Sequence, residues 1–162
     1  MDTDKNTVHI VGAGLAGSEC ALQLANLGHK VKLFEMRGKT MTPAHKTNKF
    51  AELVCSNSFG SEDPASAPGH MKWEASQLNS YILKAAKEAF VPAGQALGID
   101  RERFSAAITE QIKSHPNIEV IEQKVDSIDD VPRPTVIATG PLTEDSLAKS
   151  MMNHFGDEFL YF

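Results

Sequence analysis

Three glycines and one acid carry the most chemistry in this chain. Residues 12–17 read Gly12-Ala13-Gly14-Leu15-Ala16-Gly17, and they follow the apolar stretch Val8-His9-Ile10-Val11. A helix-like segment comes next and leads to Val31-Lys32-Leu33-Phe34-Glu35. Glycines at this spacing, between a strand and a helix, are suited to holding a nucleotide diphosphate. Gly12 permits the tight turn out of the strand. Gly14 has no Cβ, so a pyrophosphate approaches the backbone closely. Gly17 lets the helix pack tightly on the sheet. The free amides around Ala13, Leu15 and Ala16, with the positive end of the helix dipole, then face the phosphates. Glu35 stands 23 residues after Gly12, where an acid accepts hydrogen bonds from an adenosine ribose.

The elements that must position these groups read as one α/β unit. Ala21, Leu22, Leu24 and Ala25, with Cys20 beside them, suit a helix buried on one side, and Gly28 ends it. From Met36 to Gly69 no periodicity holds for long, which implies mostly loop with a short helix near Lys49 to Val54. A loop of that length in a compact domain is usually functional. Residues 71–90 read as one helix, with Leu78, Tyr81, Ile82, Ala85, Ala86 and Ala89 at helical spacing. Asp100 is placed to cap a helix from Arg101 to about Ser114 whose inward stripe is Phe104, Ala107, Ile108 and Ile112. Ile118–Ile121 and Lys124–Ile128 read as short strands. Thr135–Ala138 reads as a buried strand, and Thr143 as the cap of a helix running to about His154. That late strand ends in Ala138-Thr139-Gly140, small residues that allow close backbone approach. Two-dinucleotide-binding flavoproteins end a late strand this way beside the cofactor, so Thr139 and Gly140, together with residues 8–35, favour FAD over NAD.

Composition bounds the class. The chain has 162 residues, 41% hydrophobic and 23% charged, enough for one α/β domain with a real core. No apolar run approaches the roughly 20 residues that span a bilayer. The opening residues Met1–Asn6 are polar, which implies no secretory signal; with two cysteines this favours a reducing cytoplasm. The net charge of −5 argues against a generally basic nucleic-acid binder. The charge is uneven: residues 1–50 carry +3 and residues 51–162 carry −8. Arg37, Lys39, Lys46 and Lys49 form the positive cluster, which is either a phosphate-binding surface or a solvated loop. The histidines show no metal-ligand spacing, and no metal is expected. Trp73 and Tyr81 fall near helical periodicity and read as core or interface.

Several segments, in order, make the chain recognisable. They are Gly12–Glu19, Phe34-Glu35-Met36-Arg37, Thr42-Pro43-Ala44-His45 and, most specific, Phe50-Ala51-Glu52-Leu53-Val54-Cys55-Ser56-Asn57-Ser58. Val91-Pro92-Ala93-Gly94, Asp100-Arg101, His115-Pro116-Asn117 and Ile137–Thr143 follow. With these the chain resembles the TrmFO family, folate- and FAD-dependent tRNA (uracil-54-C5-)methyltransferases, over its whole length but only over the N-terminal part of a family member. The resemblance implies a Rossmann-like FAD-binding fold of the two-dinucleotide-binding flavoprotein type. Residues 1–162 would be the N-terminal part of that domain, with a long insertion at about 36–99.

The resemblance also implies an activity. A one-carbon unit passes from methylenetetrahydrofolate to carbon 5 of a uridine in the tRNA T-loop; FAD relays it and NAD(P)H is the reductant. Carbon 5 of uracil is a poor nucleophile until something adds at carbon 6, and a thiolate suits that addition. Cys55 stands at the family's Glu-Leu-Val-Cys-Ser-Asn position and is the candidate catalytic thiol; the bland reading is a small buried hydrophobe. Cys20 reads as structural. By the same match, Gly12, Ala13, Gly14, Leu15, Ala16, Gly17, Glu35, Arg37, Thr139 and Gly140 are the candidate cofactor-binding residues. His45 either contacts flavin or RNA or is a solvated loop histidine. Some relatives act on ribosomal RNA instead of tRNA. A related class, the carboxymethylaminomethyl-uridine flavoproteins, is the alternative, and a non-catalytic dinucleotide-binding remnant is a third reading. The last residues, Phe159-Leu160-Tyr161-Phe162, look like the start of an apolar strand, so the chain is expected to be a piece of a longer protein and inactive in methyl transfer by itself.

Overall fold

A computed structural model describes residues 6–156. The apolar strand expected at 159–162 lies outside them.

Four strands form a fully parallel sheet: β1 (Thr7–Val11), β2 (Lys30–Glu35), β6 (Ile118–Glu122) and β7 (Thr135–Ile137), in the order β6-β2-β1-β7. The register pairs Val11 with Phe34 and with Ile137, which brings the C-terminal ends of β1, β2 and β7 together. The helix α1 (Leu15–Asn26) crosses from β1 to β2, and Gly28 follows its end at φ +92°. Side chains alternate across the strands. Ile10, Val31 and Leu33 face α1 and the helix α4 (Arg101–Ser114), where Leu22, Phe104, Ile108 and Ile112 complete the main core. Val11 and Phe34 face the other way, against Val125, Val131 and Leu147 of α5 (Asp145–Phe155).

Between β2 and α4 the chain builds a second, antiparallel sheet. Its order is β3 (Ser58–Ser61), β5 (Ala96–Ile99), β4 (Phe90–Val91), and two helices, α2 (Ala67–Gln77) and α3 (Tyr81–Glu88), lie within it in sequence. Leu97 and Ile99 of β5 and Leu83, Ala85 and Ala86 of α3 are buried in the same main core as the parallel sheet.

Several expectations are met and others need correction. Asp100 caps α4, its carboxylate accepting from the amides of Glu102 at 3.0 Å and Arg103 at 3.1 Å. The single helix over 71–90 is instead two. Asn79 takes φ +55°, Leu78 is 74% exposed, and Ser80 caps a new helix by accepting from the Leu83 amide at 3.1 Å. Trp73 is exposed and stacks on His70, so it is no core residue. No helix forms at Lys49–Val54, because its backbone groups are bound elsewhere. The Lys49 carbonyl accepts from Arg37, the Phe50 amide donates to Thr109 Oγ1, and Ala51 sits at φ +51° and donates to the Ala13 carbonyl. No strand forms at Lys124–Ile128 either. Lys124 pairs with Asp126 and Glu144, and Ser127 caps a 3-10 turn over 128–130. The strand at 135–137 is an edge strand and only half-buried. Helix α5 begins after Glu144, while Thr143 Oγ1 donates to the Gly140 carbonyl.

Candidate functional site

The glycine turn is shaped by what its missing side chains would strike. Gly12 has φ +96°, and a Cβ there would lie 2.8 Å from the Ala138 carbonyl oxygen. A Cβ on Gly17 would lie 1.8 Å from the Gly12 carbonyl oxygen, so α1 packs directly onto the turn. Gly14 differs: nothing lies within 4 Å of a Cβ built there, and its φ of −71° suits any residue. The open side of the turn is at Gly14. Gly14 is also the N-cap of α1, and with no side chain it caps nothing; the first turn holds no acid. The amides and dipole of α1 are therefore left for an anion.

A cleft opens in front of this turn. Gly12, Gly14, Glu35, Arg37 and Thr139 line it, with Phe34, His45 and Leu147 among their neighbours. It sits beyond the C-terminal ends of β1 and β7. There the strand order changes direction, which is where open α/β sheets hold their ligands. Leu15 and Ala16 are exposed on the first turn of α1. Gly140 is exposed but does not line the cleft, and neither does Cys55.

Glu35 is aimed at the turn, but its acceptor positions are occupied. Oε2 accepts from the Ala13 amide at 2.8 Å and from Arg37 Nη2 at 2.9 Å; Oε1 accepts from the Arg37 amide and Nε, both at 3.0 Å. Burial pushes this carboxyl up, but the hydrogen bonds and charge of Arg37 and the Ala13 amide outweigh it and hold the group below its ordinary range. A ribose must therefore displace one of these donors to reach Glu35.

Arg37 departs further from expectation. It is 4% exposed and so is no part of a surface basic cluster. Besides Glu35 it donates to the Lys49 carbonyl at 3.0 Å and the Ala13 carbonyl at 3.3 Å, and its Nη1 lies 3.9 Å from Glu52. Lys39 and Lys46 are exposed, as a solvated or phosphate-facing loop requires.

Sequence reasoning missed two acids. Glu52 accepts from the amides of Lys46 and Thr47 and from Thr47 Oγ1, folding the loop back on itself. Glu19 on α1 receives the Tyr81 and Ile82 amides at 3.1 and 2.8 Å and the Ser80 hydroxyl at 2.8 Å. It is an anionic cap on α3 supplied from 61 residues away. Both acids stand inside the recognised motifs, but nothing local signals a partner so distant. His45 borders the cleft; burial, then the charge of Arg37, pushes its pKa down, so its ring is neutral at pH 7.

The segment Phe50–Ser58 is half anchor and half display. Phe50, Ala51 and Leu53 are buried, whereas Cys55, Ser56 and Asn57 are exposed. Cys55 is thus not the small buried hydrophobe of the bland reading. Cys20 is half-buried against the core, its thiol pushed up by burial and by the charge of Glu19, as a structural cysteine would be. Among the described residues no group of His, Cys, Asp and Glu is arranged to hold a metal, and no helix is long and apolar enough to cross a membrane.

Comparison with known proteins places this geometry in a family. The family described as Glucose inhibited division protein A matches residues 7–159. Methylenetetrahydrofolate–tRNA-(uracil-5-)-methyltransferase TrmFO of Bdellovibrio bacteriovorus is 69% identical over 99% of this chain and 36% of its own length. Those of Bacillus subtilis and Thermus thermophilus are each 52% identical over 98% and 94% of the chain. The chain thus spans about a third of the length of the curated relatives it matches. Among solved structures, Aquifex aeolicus GidA aligns with 75% of this chain and 20% of its own at a TM-score of 0.59 and 19% identity, a likeness of fold. The chain belongs to the glucose inhibited division protein A family, whose TrmFO-type members it matches in their N-terminal third.

Proposed function

We propose that this chain is the N-terminal, FAD-binding part of a methylenetetrahydrofolate- and FAD-dependent enzyme that methylates carbon 5 of uridine 54 in the tRNA T-loop. One observation carries the reading. A glycine turn opens at Gly14 onto the cleft at the β1–β7 switch point, in front of an uncapped helix end, in a chain 69% identical to a protein named for that reaction. The residues present fit the adenosine-diphosphate half of FAD. The open side of Gly14 admits a phosphate, the amides of Leu15 and Ala16 face it, and Thr139 flanks it from β7. Glu35 is within the lining and takes the ribose once a protein donor yields. When bound, FAD supplies the redox chemistry and the one-carbon relay, with folate and NAD(P)H as co-substrates.

The chain's own residues do the rest of what falls to this part. Cys55 is the nucleophile. Its thiolate adds to uracil carbon 6, forming a C–S bond and moving the double-bond electron pair toward carbon 5, which becomes nucleophilic. After the carbon–carbon bond forms, the carbon 5 proton leaves; two electrons, drawn from NAD(P)H, then reduce the transferred methylene to methyl as the thiolate departs and the ring is restored. The segment's buried half holds the exposed half out toward an RNA. Lys39, Lys46 and Lys49 attract its phosphates, whether in tRNA or ribosomal RNA. Folate and RNA are cytoplasmic substrates, which sets the compartment. Residues 1–162 are the first part of one FAD-binding domain with an insertion over about 36–99. Relatives at 50% identity and above are named as the methyltransferase, which favours it over the carboxymethylaminomethyl class.

The test is a chimera in which this chain replaces the matching third of the Bdellovibrio bacteriovorus relative. The chimera methylates a T-loop RNA given folate, FAD and NADPH, Cys55→Ser abolishes the transfer, and the chain alone transfers nothing. A folded chimera with bound flavin and no transfer, or full activity in Cys55→Ser, contradicts the reading.

A further inference from the structure

The turn that faces the cleft and the segment Phe50–Ser58 share the main core and are joined by specific hydrogen bonds. The Ala51 amide donates to the Ala13 carbonyl at 2.9 Å. The Arg37 guanidinium, itself almost wholly buried, reaches both sides. Toward the turn, Nη2 donates to the Ala13 carbonyl at 3.3 Å, and Nε and Nη2 grip Glu35, whose other bond holds the Ala13 amide. Toward the segment, Nη1 donates to the Lys49 carbonyl at 3.0 Å and lies 3.9 Å from Glu52, which in turn holds the amides of Lys46 and Thr47. Five N–H donors in a fixed plane make such a four-way junction possible; an ammonium, a single point charge, cannot span it.

We propose that Arg37 is a positioning residue that fixes the nucleotide turn and the Cys55 segment relative to each other, rather than a cofactor ligand. This rests on the FAD-binding reading above for its consequence, but not for its geometry. Its donors are given to the protein, so it acts on a bound nucleotide through the Ala13 peptide and Glu35. It acts on Cys55 through the loop that precedes it. The pairing Phe34-Glu35-Met36-Arg37 then has a reason: the acid alone would be a buried charge, and the arginine two residues on both neutralises it and carries the constraint outward.

Amide hydrogen exchange on the chain, read for the Arg37→Lys and Arg37→Met variants, tests this. Arg37→Lys keeps a charge beside Glu35, so Ala13 stays protected. It loses the Lys49 and Glu52 contacts, so Lys46, Thr47 and Ala51 exchange about tenfold faster or more, while the interior amides of α4 are unchanged. Arg37→Met frees both regions. A uniform rise that includes α4 in both variants marks simple destabilisation and overturns the proposal. So does parent-like exchange at 46–51 in Arg37→Lys, since rescue by charge alone means the fork is not needed. A parallel FAD titration separates the two claims. Arg37→Met, which releases the Ala13 peptide and Glu35, weakens FAD binding about tenfold with α4 intact, and parent-like affinity in that variant overturns the effect claimed on the nucleotide; FAD that fails to bind the parent chain sinks the proposed function, while the exchange experiment still decides the role of Arg37.

Discussion

The glycine turn and the loop that follows β2 lie side by side, yet they are held in opposite ways. In the turn the backbone itself is the constraint. Gly12 and Gly17 exist because the Ala138 carbonyl and the turn's own carbonyl leave no room for a Cβ. In the loop over 38–57 there is no regular structure, and side chains from elsewhere hold it. Arg37 takes the Lys49 carbonyl, Thr109 takes the Phe50 amide, and Glu52 takes Lys46 and Thr47. The first device tolerates no added atom at Gly12 or Gly17. The second depends on which donors reach which acceptors, so a change there matters only if it breaks one of those bonds.

The largest effect should come from adding an atom to the turn. Gly17→Ala places a methyl group against the Gly12 carbonyl and should cost about 3 kcal/mol or more, read by denaturant unfolding. Gly14→Ala, three residues away, should leave stability within about 0.5 kcal/mol, because its Cβ meets nothing. Equal costs at the two positions would erase the distinction between a packed side and an open side.

Next comes the buried pair. Glu35→Gln leaves Arg37 with only the more distant Glu52, 3.9 Å away, as counter-charge and should cost about 3 kcal/mol. The pair also sets a pH dependence. The folded carboxyl titrates below its usual value of 4.5, so its stabilisation is fully present above that pH. It is lost as pH falls through the lower folded value. Thermal melts of the parent chain should therefore fall steeply on the acid side of pH 4.5, and Glu35→Gln should flatten that limb. Glu52 is lowered in the same direction; burial opposes it, and the Lys46 and Thr47 hydrogen bonds prevail, so some acid dependence should survive in Glu35→Gln.

Glu19→Ala should have a smaller effect, about 1–2 kcal/mol, for loss of the anionic cap on α3. Exchange should rise in α3 and leave β1 and β2 alone. Smallest of all is Trp73→Ala, within about 0.5 kcal/mol, since the ring is 56% exposed and touches mainly His70.

The same contrast explains what was readable from sequence. The β1–turn–α1–β2 unit, the Gly28 stop, the Asp100 cap and the stripe Phe104, Ile108 and Ile112 were legible because each depends on residues within a few positions. The region from 36 to 90 was not. The turn over 49–54 looks helical by composition, but its amides and carbonyls go to Thr109, Ala13 and Arg37. The break at Asn79 is secured by Glu19 on another helix. The site divides the same way. Gly12, Gly14 and Thr139, expected from the sequence to hold the cofactor, border the cleft, whereas Arg37 looks like a surface cation until its four acceptors are seen. The segment Phe50–Ser58 was recognisable as a motif, but which of its residues anchor and which are displayed depends on packing against residues far along the chain.

Everything proposed for this chain depends on the open side of the glycine turn holding a nucleotide diphosphate. Titration of FAD into the parent chain and into Gly14→Val, followed by flavin fluorescence and calorimetry, tests it most directly. Binding to the parent should be saturable, and at least about tenfold weaker in a Gly14→Val chain whose unfolding curve is unchanged. Equal affinity in the two folded chains would contradict it.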